Sequence, residues 1–171
     1  WLKIYDKPVL YFPKFFHPDP SVKRQSGFLM PAFTSSNSAG SAFKLPYFHV
    51  ISHSKDLTFT PRLYSTKKIL SQSEYRAVNA KSKHVIDFSI LSEKNRNSKT
   101  HFFSRSKKEL NLNYFNYSNL TLEMQHTSND TYLKGNKLES PLINNENGTL
   151  TSTLGFRASN EDLDLETNFF V

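Results

Sequence analysis

The sequence has no cysteine. That excludes disulfide frameworks, thiolate zinc sites and cysteine nucleophiles. Glycine is sparse, five residues in 171, and no Gly-rich phosphate loop, G-x-S-x-G elbow or H-E-x-x-H motif occurs. No apolar run approaches the roughly 20 residues that a membrane helix needs. The opening Trp1-Leu2-Lys3-Ile4-Tyr5-Asp6 has no basic flank leading into an apolar stretch, so it does not read as a signal peptide. Without an initial Met, the chain is expected to be a mature piece or an internal fragment. Helical periodicity is scarce as well.

Charge is present but dispersed. The net charge is +7, from 22 Lys and Arg against 15 Asp and Glu. Such a balance suits an anionic partner, or simply keeps loops solvated; the longest basic clusters are pairs such as Lys23-Arg24, Lys67-Lys68 and Lys107-Lys108. The six histidines are scattered. His49 and His53 would share a metal on a helix, but on a strand they stand roughly 13 Å apart. Asp162, Asp164 and Glu166 alternate, which fits a polar strand face better than a calcium or acid–base site. Enzyme chemistry has little support, and no cofactor or metal is expected.

What the chain does have is alternation. Leu57, Phe59 and Leu63 oppose Thr58, Thr60 and Arg62; Ile86, Phe88 and Ile90 oppose Val85, Asp87 and Ser89. Leu120, Leu122 and Met124 oppose Thr121, Glu123 and Gln125. Leu150, Leu154 and Phe156 oppose Thr151, Thr153 and Arg157, and Leu163, Leu165 and Phe169 oppose Asp164, Glu166 and Asn168. Within 41–52, Phe43, Leu45, Tyr47 and His49 share one face. Weaker candidates cover 69–79, 100–106 and 110–117. Asn147-Gly148 is the best turn signal, and 129–147 reads as a polar loop. The chain is therefore expected to be all-β, with many strands of about ten residues and one apolar face each. A membrane β-barrel and a soluble β-sandwich both produce this pattern; strand length favours the barrel.

The beginning differs. Pro8-Val9-Leu10-Tyr11-Phe12-Pro13 is continuously apolar and bounded by prolines, and His17-Pro18-Asp19-Pro20 must be extended. Then come Lys23-Arg24-Gln25-Ser26-Gly27-Phe28-Leu29-Met30-Pro31, Leu45-Pro46-Tyr47-Phe48-His49-Val50-Ile51, Asp56-Leu57-Thr58-Phe59-Thr60-Pro61 and Glu74-Tyr75-Arg76. In order and spacing these blocks resemble the LPS-assembly outer-membrane protein family (LptD, also called OstA), from about Pro8 to Arg76.

The resemblance implies the end of a periplasmic β-jelly roll over 1–20, a linker leading into a barrel over 21–40, and the first antiparallel strands of a large transmembrane β-barrel over 41–171. It implies a role in the outer-membrane lipopolysaccharide translocon of Gram-negative cells, with the N-terminal part periplasmic. The implied partners are lipopolysaccharide, a lipoprotein plug (LptE-like) and a periplasmic bridge protein (LptA-like), and no nucleic acid. Pro46 and Pro61 would form one side of a lateral gate. Val9, Leu10, Tyr11, Phe12, Phe15 and Phe16 would line a lipid groove, or else be ordinary core. Lys23, Arg24 and Lys44 would meet lipid phosphates, or else be solvated charges. Trp1, Tyr47, Phe48, Tyr64, Tyr75, Tyr114 and Tyr117 are candidates for interface girdles. A passive porin-like barrel segment and a soluble basic β-domain binding polysaccharide or nucleic acid stay open as alternatives.

Overall fold

Most of the alternating stretches form strands, and strands that follow one another along the chain pair. The computed structural model describes residues 2–4, 7–10, 24–36, 40–142 and 149–171. Strands β1 (Leu2–Ile4) and β2 (Lys7–Leu10) form a two-stranded antiparallel sheet. All other described strands belong to one 11-stranded antiparallel sheet. They are β3 (Gly27–Phe28), β4 (Ala32–Ser36), β5 (Gly40–Lys44), β6 (Tyr47–Ser52), β7 (Lys55–Tyr64), β8 (Lys68–Asn79), β9 (Ser82–Glu93), β10 (Lys99–Glu109), β11 (Tyr117–Thr127), β12 (Thr153–Ser159) and β13 (Asp164–Phe170). Among the described residues a single short helix, α1 (Tyr132–Asn136), lies between β11 and β12.

The sheet is a meander that stays open, with β4 and β13 at the ends of the pairing path. Strands β7 to β11 run 10 to 12 residues each. Strands of soluble domains average nearer five or six, and a tilted membrane-crossing strand takes about 9–11. β5 and β6 keep one register against β7, with Lys44 opposite Arg62 and Tyr47 opposite Phe59. They are therefore two halves of one strand interrupted at 45–46. β3 and β4 are likewise halves of the edge strand, with one extra residue between them: Phe28 pairs with Tyr47 and Ala32 with Lys44. That is a β-bulge.

The register sorts the faces as the alternation predicts. Phe59, Leu63, Ile69, Phe88, Ile90, Phe102, Leu122, Met124, Leu154 and Phe169 stand on one face and are exposed. Asp56, Thr60, Arg62, Gln72, Asp87, Ser89 and His101 stand on the other and are buried. An exposed apolar face with a buried polar face inverts the arrangement of a soluble sheet.

Three sequence expectations need correction. Residues 110–116 are not a strand. Asn111 takes a left-handed conformation (φ 49) and Leu110 N–H closes onto the Ser118 carbonyl at 3.0 Å, so the segment is a turn. The alternation over 150–157 becomes a strand only from Thr153. Within the expected polar loop, Tyr132, Leu138 and Leu142 are buried. The Asn147-Gly148 signal lies outside the described residues.

Candidate functional site

Proline has no N–H to give to a ladder. The register aligns three of them across the β3–β7 edge of the sheet. Leu45 N–H donates to the Pro61 carbonyl at 3.2 Å, and Leu29 N–H to the Pro46 carbonyl at 2.8 Å. Where antiparallel residues exchange both bonds, each of these pairs keeps one, because the proline cannot return it. Pro31 immediately precedes Ala32, which pairs with Lys44, so it falls opposite Leu45 on the same row. Pro46 ends up between β5 and β6, and Pro61 inside β7 with Ser71 of β8 on its other side. Pairing is thus thinned on two adjacent rows across three strands, while β8 to β11 are uninterrupted.

The polar face is covered by the chain itself. Residues 129–142 fold back from β11 over β10, β9, β8 and β7. The Tyr132 side chain is 2% exposed. Its hydroxyl shares a 2.7 Å hydrogen bond with Ser89, and its ring lies 6.1 Å from that of His101. Burial pushes the Tyr132 phenol above its ordinary value, the Ser89 bond pulling the other way, so it stays protonated at neutral pH. Arg62 Nη1 donates to the Asn136 carbonyl at 2.6 Å, and Gln72 Nε2 to the Glu139 carbonyl at 3.0 Å. Leu138 joins Ala42, Tyr64, Leu70 and Leu91 in an apolar cluster beneath the segment.

Under Tyr132 lies a serine, histidine and aspartate set. Ser89 Oγ is 2.6 Å from His101 Nδ1, and His101 Nε2 is 3.5 Å from Asp87. Asp87 also accepts both of its bonds from Gln72 Nε2, each at 3.1 Å. All three residues are fully buried and Tyr132 occupies the free side of Ser89. No substrate carbonyl can reach that hydroxyl, so the network ties segment to sheet. Among the described residues no cluster of three metal-ligating side chains occurs.

Toward the other end of the strands, Asp56 is 3% exposed and accepts from Arg76 Nε at 2.7 Å and from Arg24. The Arg24 guanidinium also lies over the Phe48 ring, 5.5 Å from its centroid. This pins the start of the edge strand to β7 and β8. Asp56→Ala is expected to cost about 1–3 kcal/mol, toward the lower end because both arginines can turn to water. Hydrogen exchange should quicken first at 26–28.

No protein-family model matches the chain. Individual proteins do. The chain is 36% identical over 92 residues to the LPS-assembly protein LptD of Pseudoalteromonas translucida, covering 54% of this chain and 12% of that protein. It is 40% identical over 75 residues to LptD of Shewanella sp. MR-4, covering 44% and 10%. With LptD of Pseudomonas aeruginosa it shares 30% over 93 residues, covering 54% and 10%. The matched half of this chain is an LptD-family sequence. The match spans about a tenth of the length of these relatives.

The residues singled out by the LptD resemblance are spread over this geometry. Pro61 shares its row with Pro31 through Leu45, and Pro46 stands one residue along, against Leu29. Arg24 holds Asp56, and Lys44 reaches Glu139 at 3.3 Å. Val9 and Leu10 lie in β2. Lys23, Tyr11, Phe12, Phe15, Phe16 and Trp1 lie outside the described residues. Of the girdle candidates, Tyr47 and Tyr75 stand on the apolar face, whereas Phe48, Tyr64 and Tyr117 stand on the polar one. Tyr114 lies in the 110–116 turn, exposed.

Proposed function

We propose that this chain supplies the first wall strands of an outer-membrane conduit for lipopolysaccharide, with its apolar face toward lipid and its polar face toward the lumen. On this reading 1–20 closes a periplasmic jelly roll, 21–40 leads into the barrel and 41–171 begins it. An LptE-like plug and an LptA-like bridge protein would be the partners. The chemistry is transfer without a covalent step.

The observation that carries the reading is the pair of adjacent rows on which Pro46 and Pro61 each leave a ladder bond unmade. A barrel that releases lipid sideways needs a seam that opens cheaply, and Pro46 and Pro61 each withhold one ladder bond at the edge of the sheet. A passive pore has no use for a weakened seam. Restoring both donors with Pro46→Ala and Pro61→Ala should return about 1 kcal/mol per bond, making an opening that breaks both about thirty-fold rarer. In the full-length protein the double variant is expected to assemble normally and deliver several-fold less lipopolysaccharide to the outer leaflet, read by surface labelling. Unchanged delivery would remove the gate role.

A further inference from the structure

Arg62 is a buried cation on the polar face that pairs with no carboxylate among the described residues. It is 4% exposed. Its Nη1 reaches the Asn136 carbonyl at 2.6 Å and the Tyr64 hydroxyl at 3.5 Å, and its Nε is buried with no partner. The other five arginines among the described residues, Arg24, Arg76, Arg96, Arg105 and Arg157, each hold a carboxylate. Arg62 alone faces neutral acceptors. A buried cation without a counter-charge is costly, so this place is short of one negative charge.

Beside it is a cavity of about 190 Å³, between the 135–139 turn and the β4–β5 edge. Its wall also carries Lys44, Lys137 and Glu139. Three cations against one carboxylate leave the wall net positive. The Glu139 side chain is 83% exposed and engaged by Lys44, so it does little for Arg62. Arg62 lines this cavity, and its planar guanidinium fork matches carboxylate or phosphate oxygens. Gly40 closes the cavity rim with positive φ (79°), and a Cβ there would meet Ser65 Oγ at 2.7 Å. The hairpin can therefore approach the 65–67 turn only as glycine.

We propose that this cavity binds a phosphate-type oxyanion, free or carried on a lipid headgroup, with Arg62 as the buried anchor and Lys44 and Lys137 as flanking charges. An arriving oxygen competes with the Asn136 carbonyl for Arg62 Nη1, so occupancy loosens the infolded segment at that point. The site goes beyond the conduit reading and does not rest on it.

The test uses the full-length protein in neutral detergent with two probes: inorganic phosphate, and short-chain phosphatidic acid compared with its diacylglycerol. Titration calorimetry is expected to show binding of one or both phosphates and none of diacylglycerol. Arg62→Gln keeps a donor for Asn136 and should weaken binding at least tenfold. Lys44→Ala with Lys137→Ala should weaken it several-fold, and Lys134→Ala, exposed on α1 and outside the cavity, should not. Binding of free phosphate identifies a free-anion site; binding of phosphatidic acid alone identifies a headgroup site. Binding of neither probe overturns the proposal, as does binding that Arg62→Gln leaves unchanged. If Arg62→Gln does not fold, the double lysine variant decides on the same criterion. Because the readout is affinity, a failure here is separate from any failure of lipopolysaccharide delivery.

Discussion

Phe88→Arg should destabilise the folded protein in a lipid bilayer by about 2–4 kcal/mol, the cost of arginine at the lipid-facing midplane of a barrel. Phe88 lies at the centre of β9, opposite Ser73 and Phe102 on the apolar face, and is 37% exposed. The exposed part of its surface meets the surroundings of the sheet. If those surroundings are hydrocarbon, the guanidinium has nowhere to go. If they are water, it extends outward and the change stays near ±0.5 kcal/mol, as for most surface substitutions. Ile69→Arg is the internal comparison. Ile69 shares the face but sits at the beginning of β8, opposite Leu63 and Ser92. Near an interface the same charge should cost about 0–1 kcal/mol. Urea titration of the full-length protein folded into vesicles reads both values. A steep difference between the two positions supports a membrane wall; two small, equal costs would mean that the apolar face meets water.

The face assignment was legible because a strand's side chains have a period of two. Leu120, Leu122 and Met124 against Thr121, Glu123 and Gln125 needed no tertiary information. Nor did Phe43, Leu45, Tyr47 and His49, although the strand that carries them is broken at Pro46. The same rule failed at 110–116. Leu110, Leu112 and Tyr114 alternate with Asn111 and Asn113, yet Asn111 adopts the left-handed conformation that asparagine tolerates, and the chain turns. Periodicity cannot tell an alternating strand from a turn whose polar residues happen to fall on every second position.

The site was less legible, for two reasons. Pro46 and Pro61 stand out by residue type, but that they lie on adjacent rows, Pro61 level with Pro31, depends on register, which the sequence does not carry on its face. The polar network depends on a contact between distant segments. Asp87 and Ser89 share a face by simple alternation, and His101 meets Ser89 through hairpin pairing. Tyr132 reaches them from 43 residues away along the chain. Nothing local in 129–142 separates a residue that folds inward from one that stays in water, because the segment is polar and aperiodic and its burial is decided by the surface it lands on.

That landing can be dissected at Tyr132. Tyr132→Ala removes a large, fully buried side chain, worth about 3–5 kcal/mol in a core. The remaining ties are Leu133, Leu138, Leu142, the exposed Lys44–Glu139 pair and a few hydrogen bonds to backbone carbonyls, which have to offset the entropy of ordering 14 residues. The effect should therefore be local: the segment undocks while the sheet, held by its own ladders, persists. Tyr132→Phe keeps the ring against His101 and loses the bond to Ser89, which retains His101 as a partner. Its cost should be about 1–2 kcal/mol. Trypsin cleavage after Lys134 and Lys137 in the full-length protein measures the opening directly. The alanine variant is expected to be cut at least a hundred-fold faster than the native chain and the phenylalanine variant about ten-fold faster. Equal acceleration by both would move the hold from the ring to the hydroxyl. No acceleration in either would mean that Tyr132 does not fasten the segment, and the buried network would then stabilise the sheet alone. If the conduit reading holds, the undocked alanine variant should also leak small hydrophilic solutes, because the segment covers the face that would line the lumen.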